Sequence, residues 1–262
     1  MYVLITGAAK GIGASIAVLM ARKGYDLLLV DIDGKGLNKI QESINQISTV
    51  QVHTLHMDLS VPGCANMIAE WTSPYHNELN IVINNAGYGL NGAFENIAID
   101  EHENIIDVNI KAPLKIAHAF IPILKRFNKS YLLNVGSTTC FQSVPYMSIY
   151  AASKAFVISF TRSLRYELKN TSVSVSCLIP GSTDTDFVNR ARMSEYARKK
   201  AIRYYMSPDD VAKIAITGMF RGKAEIIPGV SNKLHSVLPK FFPKSFVEKV
   251  AGKIYQPGKE AR

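Results

Sequence analysis

Tyr150 and Lys154 stand four residues apart in the run Tyr150-Ala151-Ala152-Ser153-Lys154. On a helix that spacing puts both side chains on one face. A phenol titrates near ~10 and is a poor base at neutral pH, but a neighbouring ammonium favours the phenolate. A fall of about three units needs roughly 4 kcal/mol. Ser137 comes shortly before Tyr150, just past a predicted strand, where its hydroxyl can orient a substrate oxygen beside the phenol. Taken singly, these are a half-exposed Tyr, a surface Lys and a loop Ser. Taken together, they suit proton transfer at the oxygen of a carbonyl or an alcohol.

A second motif gives the first a context. Thr6-Gly7-Ala8-Ala9-Lys10-Gly11-Ile12-Gly13 lies between a predicted strand and a predicted helix. Glycines permit positive φ and close backbone approach, and a helix N-terminus offers free N–H groups to a pyrophosphate. The spacing is G-x-x-x-G-x-G rather than the G-x-G-x-x-G of many dinucleotide loops. Asp31 ends the next predicted strand, where an acid bonds the ribose hydroxyls of NAD and repels the 2′-phosphate of NADP. Asp33 is a second candidate for that contact, and the Lys10 cation acts the other way. The balance favours NAD(H) over NADP(H). A cationic nicotinamide would reinforce the effect of Lys154 on Tyr150.

These residues need elements to hold them. Apolar strand patterns at 2–6, 26–30, 50–56, 80–84, 131–135, 172–179 and 224–227 alternate with helical periodicity at 12–23, 34–47, 62–71, 100–127, 149–169 and 208–218. Continuous apolar strands separated by helices predict an α/β fold, a doubly wound parallel sheet of Rossmann type. Pro113 and Pro122 are expected to bend the long 100–127 helix. Asn109 falls inside that helix, where Asn is mildly unfavourable. In the 149–169 helix, Phe156, Phe160 and Leu164 form a stripe read most simply as core. A single domain over 1–262 is the simplest account.

Composition excludes several classes. The chain has 262 residues, 47% hydrophobic and 19% charged, an ordinary globular balance. It lacks an apolar run of ~18–20 residues and a signal-peptide order at its start, so a cytoplasmic protein is expected. Three cysteines, Cys64, Cys140 and Cys177, make no disulfide framework. His53 and His56 lie on a predicted strand without a third ligand, so no metal is expected. Gly136-Ser137-Thr138 lacks the second glycine of a nucleophile elbow, which argues against a hydrolase.

The net charge of +9 is uneven: residues 1–189 carry 14 basic and 15 acidic side chains, residues 190–262 carry 16 and 6. No recognised nucleic-acid module accompanies that basic quarter, and nucleic acid is not expected as a partner. Within it, Leu234, Val237, Leu238, Phe241, Phe242, Phe246, Val247, Val250, Ile254 and Tyr255 interleave with Lys233, His235, Lys240, Lys244, Lys249 and Lys253. This amphipathic extension, about 229–262, either packs on its own domain or a partner subunit, or makes peripheral membrane contact through 232–255.

The chain resembles the short-chain dehydrogenases/reductases of the small, single-domain type. The marks are Thr6-Gly7-x-x-x-Gly11-Ile12-Gly13, Asp58-Leu59, Asn84-Asn85-Ala86-Gly87, Asn109, Ser137, Tyr150-x-x-x-Lys154 and Pro180-Gly181 with Thr185, in that order, over nearly 90% of the chain. The resemblance implies seven strands in the order 3-2-1-4-5-6-7 and hydride transfer between a nicotinamide and a carbonyl or alcohol carbon. It implies Tyr150 as acid/base, Ser137 on the reacting oxygen, and Lys154 on the nicotinamide ribose. Asn109 would anchor a water chain, a kink there freeing a backbone carbonyl. Asp58, beside Leu59, would meet the adenine. Asn85, Ala86 and Gly87 would line the adenosine and nicotinamide-ribose passage, and Pro180, Gly181, Thr183 and Thr185 the carboxamide. Residues 183–206 take the place of a substrate lid, and a homodimer or homotetramer is implied.

Within the family, Asn85-Ala86-Gly87-Tyr88-Gly89-Leu90-Asn91-Gly92-Ala93-Phe94 and Pro228-Gly229-Val230-Ser231-Asn232-Lys233 resemble a broad bacterial branch of oxidoreductases without a fixed substrate. The pocket candidates are Leu90, Phe94, Thr138, Thr139, Cys140, Phe141, Tyr146, Met147 and Phe187. None is Arg or Lys, so a neutral, fairly hydrophobic carbonyl or alcohol is expected. Two rival readings stand beside this one. One is a non-catalytic dinucleotide-binding regulator, which would need no Ser137, Tyr150 or Lys154. The other is a membrane-surface reductase of lipid-like substrates.

Overall fold

The computed structural model of the protein describes residues 1–202 and 204–258. Arg203 of the expected lid and the last four residues of the expected extension lie outside the described residues. Seven parallel strands form one sheet in the order β3-β2-β1-β4-β5-β6-β7. They are β1 Tyr2–Thr6, β2 Asp26–Asp31, β3 Val52–His56, β4 Leu79–Asn84, β5 Ser130–Val135, β6 Val173–Leu178 and β7 Glu225–Ile226. The sheet order is the one the resemblance implied.

Alternation along each strand divides the core into two layers. Val3 and Ile5 face Ile16 and Met20 of α1 (Gly11–Arg22), Leu37 of α2 (Gly34–Asn45), and Val211 and Ile216 of α9 (Pro208–Phe220). Tyr2 and Leu4 face the other way, onto Ile68 of α3 (Cys64–Trp71), Ile116 and Phe120 of α5 (Ala112–Leu124), and Leu164 of α6 (Ser148–Glu167). A sheet covered on both faces requires strands that are apolar throughout, hence the continuous apolar runs in the sequence. α9 opens with Ser207 Oγ accepting from the Asp210 N–H at 3.1 Å and Pro208 at the first helical position.

Three expectations need correction. The 100–127 helix is two helices, α4 Ile99–Ile106 and α5, joined by one π turn over Asp107–Lys111 with Asn109 buried inside it. The interruption therefore falls at Asp107–Lys111, ahead of both Pro113, in the first turn of α5, and Pro122, which lies inside α5. The α6 stripe is core only at one end: Leu164 is buried, whereas Phe156 is exposed and stacks on Phe160 with ring centroids 5.9 Å apart.

The chain after β6 leaves the sheet and returns to the same point. Met206 N donates to Ser182 O at 3.1 Å and Asp184 N to Met206 O at 3.0 Å, closing the base of the excursion. Between them lie α7 Phe187–Arg190 and α8 Glu195–Ile202. Beyond β7, α10 Val230–Val237 and α11 Lys244–Tyr255 follow, and α11 packs on α8.

Candidate active site

The C-terminal ends of the strands open on a crevice of about 760 Å³. At one end, β1 turns into α1 through Gly7 at φ +66° and Gly11 at φ +57°, conformations that favour glycine. Among the described residues no side chain caps α1 and no acid lies in its first turn, and Gly11 and Ile12 at its start line the crevice. Gly13 serves packing instead: a Cβ there would stand 2.0 Å from Gly7 O. Asn85 Nδ2 holds the same turn, donating to Thr6 O at 3.0 Å and Gly7 O at 2.8 Å.

Asp31 lines the crevice where β2 ends. Its carboxylate accepts from Ala9 N and from Asp33 N, each at 2.9 Å, which fixes its direction. Asp33, the second candidate for the ribose contact, also lines the crevice. It caps α2 through Gly36 N at 2.9 Å and pairs with Lys10 at 2.9 Å. The Lys10 charge is thereby answered locally, although Lys10 is largely exposed and the pair is weak. Asp58 accepts from Ser60 N and Ser60 Oγ, and with Leu59 it lines the adjoining wall.

The middle of the crevice holds Ser137, Tyr150 and Lys154, all at least nine-tenths buried. α6 carries Tyr150 and Lys154 one turn apart, with Nζ 5.8 Å from the phenol ring centroid. Lys154 Nζ donates to Val135 O at 3.0 Å, which ties the end of β5 to α6. Burial pushes the Lys154 ammonium down to about 8. Burial also pushes the Tyr150 phenol up to about 12, with the Ser137 hydrogen bond acting the other way. The phenol is thus raised rather than lowered as the Lys154 spacing predicted, because desolvation dominates in the free protein.

That burial has a measurable consequence. The folded chain holds Lys154 near 8 while the unfolded chain keeps the ordinary 10.5, so between these values the unfolded state binds more protons. Stability attributable to Lys154 rises as pH climbs through that window, by up to about 3 kcal/mol. Tyr150 acts oppositely above pH ~10, where only the unfolded chain loses the phenol proton. Urea denaturation at pH 7.5 and pH 9.5 checks this. The wild type gains stability relative to Lys154→Met over that interval, and a constant difference between the two would refute it.

Asn109 backs the site rather than lining it. Its Oδ1 accepts from Tyr88 N at 3.0 Å, and its Nδ2 donates to Tyr88 O at 2.8 Å and to Ser153 Oγ at 3.0 Å. The side chain thus fastens the loop after β4 to α6. Gly87 passes through the gap so closely that a Cβ would come within 3.0 Å of both Lys154 Nζ and Asn109 Oδ1. Pro180, Gly181, Thr183 and Thr185 line the wall opposite, and Thr185 packs where a side chain on Gly11 would be.

The pocket candidates divide. Thr138, Thr139, Met147 and Phe187 line the crevice, and the Thr139 hydroxyl is buried without a partner among the described residues. Leu90, Phe94, Tyr146, Cys140 and Phe141 do not line it. Leu90 is buried elsewhere, and Phe94 is 56% exposed, stacked on His102 at 4.7 Å. Tyr146, at φ +66°, gives its carbonyl to Gly92 N at 2.9 Å as a backbone strut. In their place the excursion supplies Val188, Arg190, Met193 and Tyr205, the loop after β4 supplies Tyr88, and α11 supplies Tyr255.

Tyr255 packs with Met147, Tyr150, Phe187 and Met193, and its carbonyl accepts from Asn91 Nδ2 at 2.7 Å. Arg190 corrects the reading of a lining without cations, but its guanidinium lies on the Tyr88 ring, 4.5 Å from the centroid. The only signal for Tyr255 in the sequence was its place at the end of the amphipathic extension.

The uncapped helix terminus, the glycine cradle and the fixed carboxylate fit a dinucleotide lying along the crevice with its reactive end at Tyr150. Known proteins agree with this geometry. The family model for short chain dehydrogenases matches residues 1–195. An uncharacterized oxidoreductase of Staphylococcus aureus is 31% identical over 84% of this chain and 91% of its own. A short-chain dehydrogenase from Sphingobium yanoikuyae, solved in complex with NADPH, is 28% identical with a TM-score of 0.79, covering 99% of this chain and 98% of that one. A short-chain dehydrogenase/reductase from Burkholderia phymatum, in complex with NAD, shares the fold at a TM-score of 0.84 and 22% identity, over 100% and 97% of the two chains. With its glycine turn and its Ser, Tyr and Lys gathered in one crevice, the chain belongs to the short chain dehydrogenase family and is an NAD(P)-dependent oxidoreductase.

Proposed function

We propose that the enzyme interconverts a neutral, fairly hydrophobic carbonyl and its alcohol, with NAD(H) preferred over NADP(H). The observation that carries this is the convergence of Ser137, Tyr150 and Lys154 in a crevice whose far wall is Phe187, Met193 and Tyr255. When bound, the nicotinamide supplies or accepts the hydride. Ser137 Oγ and Tyr150 Oη hold the reacting oxygen. In reduction Tyr150 gives its proton to that oxygen; in oxidation it takes the proton from the alcohol. A phenol held high in the free protein suits the donor role, and the proton returns to it through Lys154. Asn109 acts as a positioning residue, keeping the 85–91 loop against α6. Residues 184–205 cover the substrate end and exclude water from it.

The cofactor preference rests on the fixed Asp31 carboxylate and on the Lys10–Asp33 pair. Purified protein is titrated with NADH and NADPH by reduced-nicotinamide fluorescence, then assayed with neutral and carboxylate-bearing ketones. NADH binds more tightly, by roughly tenfold or more, and Asp31→Ala narrows the ratio. An unchanged ratio in the variant would remove Asp31 as the selector. Turnover confined to carboxylate-bearing ketones would assign Arg190 to an anion and overturn the neutral-substrate reading. We further propose that two copies pair through the Phe156–Phe160 face of α6, where the Phe156 ring stands exposed and stacks on the half-buried Phe160.

A further inference from the structure

We propose that the outer surface of α10, α11 and the turn between them docks on an anionic lipid bilayer. Val230, Leu234 and Val237 recur at helical spacing along α10 and all are exposed, Val230 to 83%. Phe241 in the connecting turn is 77% exposed. The Phe242 ring lies 5.7 Å from that of Phe246, and Phe246 and Val250 follow one turn apart on α11. Eight large apolar side chains from Val230 to Val250 are thus exposed along one short stretch of chain, far more than the scattered apolar residues of an ordinary surface.

Charge selects the occupant. Residues 230–258 carry five lysines against a single acid, Glu248. Lys233, Lys244, Lys249 and Lys253 are exposed among the apolar groups. A second copy of the chain seated face to face would set these lysines against their own equivalents, a like-charge contact that opposes pairing. An anionic membrane answers both properties. Phenylalanines enter the boundary between headgroups and acyl chains, and lysines snorkel to the phosphates.

The inner side of the same unit reaches the active site. α11 runs from Phe246 on the outer surface to Tyr255 beside Tyr150, and Asn91 holds the Tyr255 carbonyl in place. Docking would therefore hold the substrate end of the crevice close to the bilayer. A lipid-soluble carbonyl or alcohol follows as the substrate class, a step that rests on the reading given under Proposed function, whereas docking itself does not.

The full chain is floated with vesicles of phosphatidylcholine alone and of phosphatidylcholine mixed with phosphatidylglycerol. The wild type floats with the mixed vesicles, at least tenfold more than with the neutral ones, and about 0.5 M salt releases it. The double variant F241E/F246E loses flotation by tenfold or more and keeps wild-type turnover of a water-soluble ketone. Absence of flotation with the mixed vesicles, or equal flotation by the variant, overturns docking. A wild-type dimer that F241E/F246E dissociates, without vesicle binding, overturns it in favour of self-association. Flotation by a protein that turns over no carbonyl or alcohol leaves docking standing and defeats the catalytic reading instead.

Discussion

Replacing Tyr150 by Phe is expected to lower turnover by about 10²–10⁴-fold while dinucleotide affinity stays within roughly twofold of wild type. The ring is buried against Phe187, with centroids 5.2 Å apart, and packs with Met147 and Ala151, contacts that Phe keeps. What the variant loses is the hydroxyl that shares the reacting oxygen with Ser137. Burial holds that hydroxyl protonated up to about pH 12. Tyr255 lies nearby, at the end of α11. Steady-state rates with a neutral ketone, paired with fluorescence titration of NADH, separate chemistry from binding. A variant retaining more than a tenth of wild-type turnover would remove Tyr150 as the acid/base. A wild-type protein that binds dinucleotide but turns over nothing would favour the regulator.

Gly13→Ala is expected to be nearly as damaging by another route. The added methyl would sit 2.0 Å from Gly7 O and 2.5 Å from Asn85 Nδ2, and the backbone carbonyl has nowhere to retreat without breaking the bond it accepts from Asn85. α1 must back away from β1, its N-terminus moves off the crevice, and the anion cradle opens. A loss of about 3 kcal/mol or more in folding stability and of at least ~10²-fold in NADH affinity is expected. Gly24→Ala is the control. Gly24, unlike Gly13, has a left-handed φ, +80°, and a Cβ there meets nothing within 4 Å. Its cost is confined to backbone strain of roughly 1–2 kcal/mol, with NADH affinity unchanged. Equal behaviour of the two variants would show that contact at the turn does not matter.

The sheet was legible because its requirements are local. A strand covered on both faces must be apolar at every position, as Leu27-Leu28-Leu29-Val30 is, and the order of strands follows from the family the motifs indicate. The glycine turn, Asp31, Ser137, Tyr150 and Lys154 were legible for the same reason, since each is fixed by its position relative to a strand end or a helix start. The substrate end was not. Its candidates were chosen by nearness in sequence to the motifs, and nearness failed at Phe94, which turns outward onto His102, and at Tyr146, whose work is done by its backbone. Tyr255 and Met193 reach the site through tertiary packing of α11 and of the turn after α7, which leaves no local pattern to read. The π turn at Asn109 has the same character: its cause is the bond network joining Asn109 to Tyr88 and Ser153, residues remote along the chain.

The hydrogen bonds joining Ser182, Asp184 and Met206 bear on how such an enzyme diversifies. Where a segment departs from and rejoins a scaffold at one point, its length and composition can change with little penalty to the scaffold, because closure entropy grows only slowly with length. The stretch from Thr185 to Tyr205 is thus a graftable cassette. It can be exchanged between relatives to re-aim selectivity, while β6, α9 and the hydride-transfer machinery keep their registration.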